Sequence, residues 1–258
     1  MRKIFIIGIG AGNPDHMTAQ AVAALRRADV VFLPDKGDDK DGLQKLRRDI
    51  CARFIGDKPY RFAEMRLPER DIRATPDYKA NIEAWREGVT ARYERFLREE
   101  LAEDQCGAFL AWGDPAIYDG TILILDAIRA RGDLAFDYEV IPGISSVQAL
   151  AAAHRVPLNR IGESILITTG RKLAAGWPAE ADNVVVMLDG QQAFKSLPPD
   201  LGLEIFWGAY VGTADEILIA GPLTDVAEKI SAAREAARQT HGWIMDSYLL
   251  RRMSVKTP

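Results

Sequence analysis

The sequence is poor in the residues that build metal and redox centres. Its 258 residues include two cysteines and three histidines. Cys51 and Cys106 stand far apart, without the close pairing of a zinc site, so both are expected as reduced, buried thiols and no metal is expected. His16, His154 and His241 are equally dispersed, and only His16 lies in a glycine-rich loop. A long apolar run is missing too. Arg2-Lys3 ahead of Ile4–Ile7 has the look of a signal peptide, but Asn13-Pro14-Asp15 interrupts it at once. No stretch approaches the roughly 18 apolar residues of a membrane span, so no membrane partner is expected. Positive charge is not in excess: 33 Lys and Arg against 37 Asp and Glu leave a net charge of −4, which argues against a nucleic-acid partner. These absences lead to the expectation of a cytoplasmic protein. Internal repeats and low-complexity tracts are absent as well.

What is present is a regular alternation of apolar runs, glycine turns and helical stripes, long enough for two domains. Ile4–Ile9 is continuous and rich in β-branched residues, as in a strand buried on both faces. It empties into Gly8–Asp15. Thr18 then offers an N-cap, Val22, Ala23 and Leu25 follow on one helical face, and Asp29–Leu33 reads as a second strand. Strand, turn, helix and strand make a βαβ unit, so the sheet should be parallel. Leu43, Leu46 and Ile50 suggest a helix. Residues 58–73 mix cations with aromatics and acids, and read either as a solvated connection or as a flap that carries cations to an anionic substrate. Ile82, Trp85, Val89, Tyr93, Phe96 and Leu101 form the stripe of a long helix. Gly107–Trp112 and Phe136–Ile141 are two more strands.

Past residue 154 the pattern changes. Pro157, Asn159 and Gly162 mark a linker, placing an N-terminal α/β domain at 1–154, the linker at 155–161 and a smaller domain at 162–258. There, strands are expected at 164–168, 183–188, 204–211, 216–220 and 243–250, and a helix after Pro222. The fold class is therefore α/β: a mostly parallel sheet with helices on both faces, followed by a mixed-sheet α+β domain.

Three loops follow strands of the first half: Gly10–Pro14, Trp112–Tyr118 and Pro142–Ser146. Parallel strands bring such loops to one carboxyl edge, where open α/β sheets bind ligands. Asp114 stands in the middle loop as the floor of a small-molecule site. One reading is a dinucleotide site, with Gly8, Gly10 and Gly12 as the turn and Asp35 as the ribose acid, hence an NAD(P) oxidoreductase. Against it, the third glycine comes one residue early for G-x-G-x-x-G, and Pro14-Asp15 delays the helix. Backbone amides, small hydroxyls and a carboxylate, with no phosphate-binding lysine, suit a zwitterionic, cationic cofactor better.

The same loops resemble those of the tetrapyrrole methyltransferases, which methylate carbon atoms of uroporphyrinogen and precorrins. The family's opening pattern G-x-G-P-G-D-P-x-x-L-T, then A-D-V-V, is similar to Gly8-Ile-Gly-Ala-Gly-Asn-Pro-Asp-His-Met-Thr18 and Ala28-Asp-Val-Val31. Its G-G-D-P-x-x-Y resembles Trp112-Gly-Asp-Pro-Ala-Ile-Tyr118, and its V-P-G-[IV]-[ST]-S resembles Ile141-Pro-Gly-Ile-Ser-Ser146. Thr213–Leu223 is similar to T-P-x-[QE]-R-x-x-x-G-T-L. The chain departs from the pattern at Ala11, Asn13, Trp112 and Ile217, and residues 36–79 are longer than in typical members.

The resemblance implies S-adenosyl-L-methionine as cofactor and S-adenosyl-L-homocysteine as product. It implies a polycarboxylate tetrapyrrole (precorrin) as substrate, a cofactor cleft between two domains, and a homodimer. The positions matching the family's cofactor contacts are Gly10, Ala11, Trp112, Gly113, Asp114, Ile117, Ser145, Ser146, Leu188, Val211 and Pro222. The overall likeness is to the deacetylating branch of cobalamin biosynthesis, which needs a general base. Asp114, Tyr118, Asp119 and His16 are the candidates, although Asp114 is expected to hold the cofactor or cap a turn rather than move a proton. A polyanionic substrate calls for cations at the rim, and Arg66, Arg70, Arg171 and Lys172 are the candidates for these.

Overall fold

The computed structural model describes residues 1–35, 41–67 and 78–253. The chain divides into two compact units: Met1–Gly10 with Pro14–Ile144, and Ala11–Asn13 with the residues from Ser145 onward.

The first unit holds five strands, β1 (Arg2–Gly8), β2 (Val30–Asp35), β3 (Arg61–Arg66), β4 (Cys106–Ala111) and β5 (Phe136–Ile141). They form one sheet in the order β3-β2-β4-β1-β5, and every pairing in it is parallel. The unbroken apolar run of β1 follows from its central place. Ile4 and Ile6 enter a core with Val89, Tyr93 and Leu97 of α3 (Tyr78–Glu100) and Leu125 and Ile128 of α4 (Thr121–Arg131). Phe5 and Ile7 point the other way, into a core with Ala21 and Leu25 of α1 (Ala19–Leu25) and Ile50 and Cys51 of α2 (Asp41–Phe54). Both faces are thus covered, as the parallel pattern requires. Thr18 caps α1 as expected, its side-chain oxygen accepting from Ala21 N at 3.0 Å.

The described part of the stretch 58–73, residues 58–67, contains β3, which the reading as a connection or flap did not include; residues 68–73 lie outside the described residues. Only Ala63 and Met65 are buried, alternating with outward residues, and this short period is hidden in sequence by the charges around it. Neither thiol is disulfide-bonded. Cys51 is buried and its thiol is pushed up to about 12 by burial, whereas Cys106 is only partly buried.

The Ala-Asp-Val-Val motif has a structural role. Asp29 Oδ2 accepts from Cys106 N at 2.8 Å, Lys58 Nζ stands 2.8 Å from Oδ1, and the Asp29 carbonyl accepts from Arg61 N at 3.1 Å. One residue thereby ties the starts of β2, β3 and β4. Burial raises its pKa, but the Cys106 N–H and Lys58 outweigh this and the net shift is downward. The stabilisation is therefore complete above the ordinary carboxylate value of 3.8 and is lost as pH falls through the lowered one. Asp29→Asn is expected to cost about 1–2 kcal/mol at pH 7 in urea unfolding, with the two proteins converging in strong acid. A cost unchanged with pH would refute this role.

The second unit has a mixed sheet of β6 (Ile165–Thr169), β7 (Asn183–Met187), β8 (Leu203–Ala209), β9 (Ile217–Pro222) and β10 (Asp246–Arg252), in the order β6-β7-β10-β8-β9. The strands expected near 204–211 and 216–220 pair directly, as the antiparallel β8–β9 ladder. The helix after Pro222, α7 (Leu223–His241), shares a core with Trp207, Tyr248 and Phe194. The other helices of this unit are α5 (Ser146–His154) and the short α6 (Gly170–Leu173). The division between units falls at Ile144/Ser145, ahead of the linker expected at 155–161. The reason is packing: α5 lies on β8, β9 and β10, so closely that a Cβ on Gly208 would meet Leu150 Cδ1 at 2.7 Å. His154 has a packing role, with one ring nitrogen 3.0 Å from the Trp207 carbonyl and its pKa lowered by burial.

Candidate functional site

In the first unit, the carboxyl ends of β4, β1 and β5 are adjacent, and their loops touch backbone to backbone. A Cβ on Gly8 would lie 2.5 Å from Gly143 N, and one on Gly143 would lie 2.1 Å from Gly113 O. Gly10 (φ 81°) and Gly113 (φ 69°) pair across the edge, with Gly113 N donating to Gly10 O at 2.8 Å and Gly10 N to Gly113 O at 3.3 Å. The glycines are therefore needed for contact, not only for turning. His16 packs beneath this pair: a Cβ on Gly10 would meet its Cβ at 2.4 Å, and its buried Nδ1 has no partner among the described residues.

Asp114 ties the middle loop to the loop after β5. Its Oδ1 accepts from Ala116 N at 2.8 Å, closing its own turn, and its Oδ2 accepts from Gly143 N at 2.9 Å. Two backbone donors on one carboxylate favour a holding role over proton transfer. Asp114→Asn places an amide N–H against one of those donors. We expect a loss of about 1–3 kcal/mol in stability, with turnover of the bound complex retained. Unchanged stability with turnover abolished would return Asp114 to the chemistry.

Beyond Asp114 the loop carries Ile117, half-buried, and Tyr118, 49% exposed and left-handed at φ 55°. A bulky residue in that region is strained, and such strain concentrates at functional sites. Partial burial raises the Tyr118 phenol above its ordinary value, so at neutral pH it keeps its proton and is able to donate. Asp119 Oδ1 accepts from Thr121 N at 2.8 Å at the start of α4. Trp112, in place of the family's glycine, is half-buried beside Gly113.

In the second unit, the tip of the first glycine loop is seated on Val211–Thr213. A Cβ on Gly12 (φ 135°) would meet Thr213 Cγ2 at 2.5 Å and Val211 O at 3.1 Å. Ala11, beside it, is buried, and Tyr210, just before Val211, is left-handed at φ 50°. Ser145 is buried and caps α5 in a reciprocal box with Gln148, and Ser146 is the first helical residue. Pro222 stands at the N-cap of α7. Leu188 follows β7, left-handed at φ 54° and 67% exposed. An exposed leucine in a strained conformation needs a cause, and the cause lies in the next residue.

Asp189 is buried. Its Oδ2 accepts from Ala193 N at 2.7 Å and from Tyr248 Oη at 2.5 Å, its Oδ1 accepts from Gln191 N at 3.1 Å, and its carbonyl accepts from Arg234 Nη2 at 3.1 Å. Arg234 Nε in turn donates to Asp246 Oδ2 at 3.0 Å, which also accepts from Trp207 Nε1 at 3.0 Å. This network was not foreseen from sequence, where its members lie far apart and only the Asp189-Gly190 pair hints at a turn.

Of the candidate rim cations, Arg66 ends β3 and is exposed, whereas Arg171 and Lys172 are exposed on α6 in the second unit. Arg70 lies outside the described residues, as do residues 36–40, which include Lys36 and Lys40. A cation missed in sequence is Arg47 on α2, whose Nε donates to the Leu110 carbonyl at 3.0 Å on the sheet's carboxyl edge. The available signal was its register, three residues before Ile50 and four before Cys51, both buried. The dinucleotide reading loses its phosphate site. A short 3-10 turn at Pro14–His16 intervenes, and α1 begins only at Ala19, under a cap already supplied by Thr18.

Comparison with known proteins agrees with the loop geometry. The profile of the Tetrapyrrole (Corrin/Porphyrin) Methylases matches residues 3–227. A precorrin-6A synthase [deacetylating] from Sinorhizobium sp is 51% identical over 252 residues, covering 98% of this chain and 96% of that protein. Among solved structures, one of a protein named as cobalamin-synthesis-related (CobF), from Corynebacterium diphtheriae, superposes with a TM-score of 0.82 at 35% identity, covering 98% of this chain and 100% of that one. A uroporphyrin-III C-methyltransferase from Thermus thermophilus, complexed with S-adenosyl homocysteine, shares the fold with a TM-score of 0.59 at 16% identity, over 96% of this chain and 97% of that one.

Proposed function

The chain belongs to the tetrapyrrole (corrin/porphyrin) methylases, and from that premise we propose that it is an S-adenosylmethionine-dependent methyltransferase of cobalamin biosynthesis, a deacetylating precorrin-6A synthase that methylates precorrin-5 at C-1 and releases acetate. The observation that carries this reading is the near-full-length likeness to the Sinorhizobium enzyme. The loop geometry is consistent with it. A cradle of glycine backbone, with no lysine among the described residues of its three loops, fits a cofactor without phosphates. That cofactor supplies an activated methyl group, so the protein's task is orientation and exclusion of water.

We assign cofactor contact to Gly10, Trp112, Gly113, Ile117, Ala11, Ser146, Leu188, Val211 and Pro222, and assign Asp114 and Ser145 to holding the loops. Deacetylation requires water to add to the acetyl carbonyl. The bond from that carbon to the ring then breaks, acetate leaves, and the electron pair of the broken bond passes into the ring, where it forms the new bond to the transferred methyl group. The proton released from water goes to Asp119, which keeps one carboxylate oxygen beyond its bond to Thr121 N. Tyr118, protonated, donates to the acetyl oxygen.

We also propose a homodimer in the cytoplasm. Supporting the dimer, the edge strand β6 leaves Ile165, Leu166 and Ile167 exposed at 40%, 38% and 39%, an apolar edge of the kind that pairs with a second copy. A monomeric mass in sedimentation would contradict it. Regarding location, among the described residues no helix is long and apolar enough to cross a membrane.

Titration calorimetry tests the cofactor. S-adenosylhomocysteine is expected to bind one per chain and NADH to give no heat; binding of NADH alone would overturn the reading.

A further inference from the structure

The β2–β4 ladder stops early, and the sequence explains why. The two strands are paired from Val30↔Gly107 to Phe32↔Phe109, while β2 continues alongside β3 as far as Asp35↔Arg66. On the β1 side, Ile9 N donates to Ala111 O, so the Leu110 carbonyl faces β2. The next rung would run from the N–H of residue 34 to that carbonyl, and residue 34 is a proline without an N–H. The strands part there at the carboxyl edge.

Two side chains of α2 take over the vacated positions. Arg47 Nε donates to Leu110 O at 3.0 Å, and Gln44 Nε2 donates to Pro34 O at 3.2 Å. These bonds fix the two side chains. Gln44 Oε1 is buried with no partner among the described residues, and the Arg47 guanidinium is anchored through Nε rather than through its terminal nitrogens. The groups that face Arg47 electrostatically are Tyr93 from α3 and Asp119 from the middle loop. Burial lowers the Arg47 pKa, and these two neighbours only partly offset it, so the cation is under-compensated. The topology strengthens the case. α2, after β2, covers one face of the sheet and α4, after β4, covers the other. Adjacent strands whose connections leave to opposite faces form the crevice in which open sheets bind ligands.

We propose that the crevice opened by Pro34 is an anion subsite, in which the Arg47 fork grips one carboxylate of the tetrapyrrole substrate close to Asp119. This rests on the functional reading above and names a specificity-determining residue within it. The anchored Nε leaves the two terminal nitrogens to meet the two carboxylate oxygens, which a lysine cannot reproduce.

The test uses a stable polycarboxylate probe, uroporphyrin, whose binding is followed by quenching of tryptophan fluorescence in wild type, Arg47→Gln and Arg47→Lys. Arg47→Gln is expected to weaken uroporphyrin binding about tenfold or more, with Arg47→Lys intermediate, while S-adenosylhomocysteine affinity stays within about twofold. In turnover with precorrin-5, the loss should fall mainly on KM. Wild-type uroporphyrin affinity in both variants, or no binding by wild type, would overturn the proposal. A parallel fall in S-adenosylhomocysteine binding and melting temperature in both variants would also overturn it, leaving Arg47 a purely structural residue. Should wild type bind uroporphyrin through Arg47 yet methylate no precorrin, the functional reading fails and the subsite stands.

Discussion

Gly143→Ala is expected to abolish cofactor binding and to destabilise the first unit by about 3 kcal/mol or more. The added carbon would sit 2.1 Å from Gly113 O and 2.7 Å from Gly8 C, against backbone that has no rotamer with which to yield. Relief requires β1, β4 and β5 to separate at their carboxyl ends, and that movement pulls Gly143 N from Asp114, to which it donates at 2.9 Å. A hydrogen bond to a charged acceptor contributes about 1.5–3 kcal/mol, so the two losses compound. Gly120→Ala is the control, because open space surrounds that position and its φ of −94° suits any residue. Urea unfolding and S-adenosylhomocysteine calorimetry should show Gly143→Ala crippled and Gly120→Ala close to wild type. Similar behaviour of the two would mean that the loop junction is not the rigid element described above.

Arg234→Met is expected to cost about 3–5 kcal/mol, the range for removing one partner of a buried ion pair. Only 9% of the Arg234 side chain and 7% of the Asp246 side chain are exposed, so the orphaned carboxylate has no recourse to water. Burial already raises the Asp246 pKa against the opposing pull of Arg234 and Trp207. A raised folded-state pKa means that the native state takes up a proton more readily than the unfolded chain. Stability from this group therefore grows as pH falls through the raised value towards 3.8. Without Arg234 the effect should enlarge, so the gap between variant and wild type should narrow in mild acid. The same guanidinium donates to the carbonyl of Asp189, next to Leu188, so cofactor affinity should fall alongside stability. Thermal melting across pH 4–8 reads the first effect and calorimetry the second; a loss below about 1 kcal/mol at pH 7 would show that the pair is dispensable.

Sequence reading reached those parts of the molecule whose physics is local. β5 lies at Phe136–Ile141 as expected, because Phe136, Tyr138, Val140 and Ile141 favour a strand and Pro142-Gly143 closes it. The convergence of the three loops was also legible, since parallel strands leave their turns on one edge and glycine with aspartate marks the turns. The role of Asp114 was only half legible: a cap was expected, but its reach to Gly143, 29 positions away, depends on the sheet order. β3 escaped because two buried residues among charges make too weak a period. Ser145 and Gln148 announce a helix without saying which sheet it covers, so the packing of α5 on β8, β9 and β10 is not legible in the sequence. Asp189, Tyr248, Arg234 and Asp246 meet only after β7, β10 and α7 have assembled, and no spacing along the chain encodes that meeting.

The central claim is tested most directly by a single turnover of purified wild-type protein with precorrin-5 and methyl-labelled S-adenosylmethionine, following label and acetate together. One methyl group entering the ring for each acetate released is the predicted result. Methyl transfer without acetate, or acetate without transfer, would contradict the deacetylating assignment.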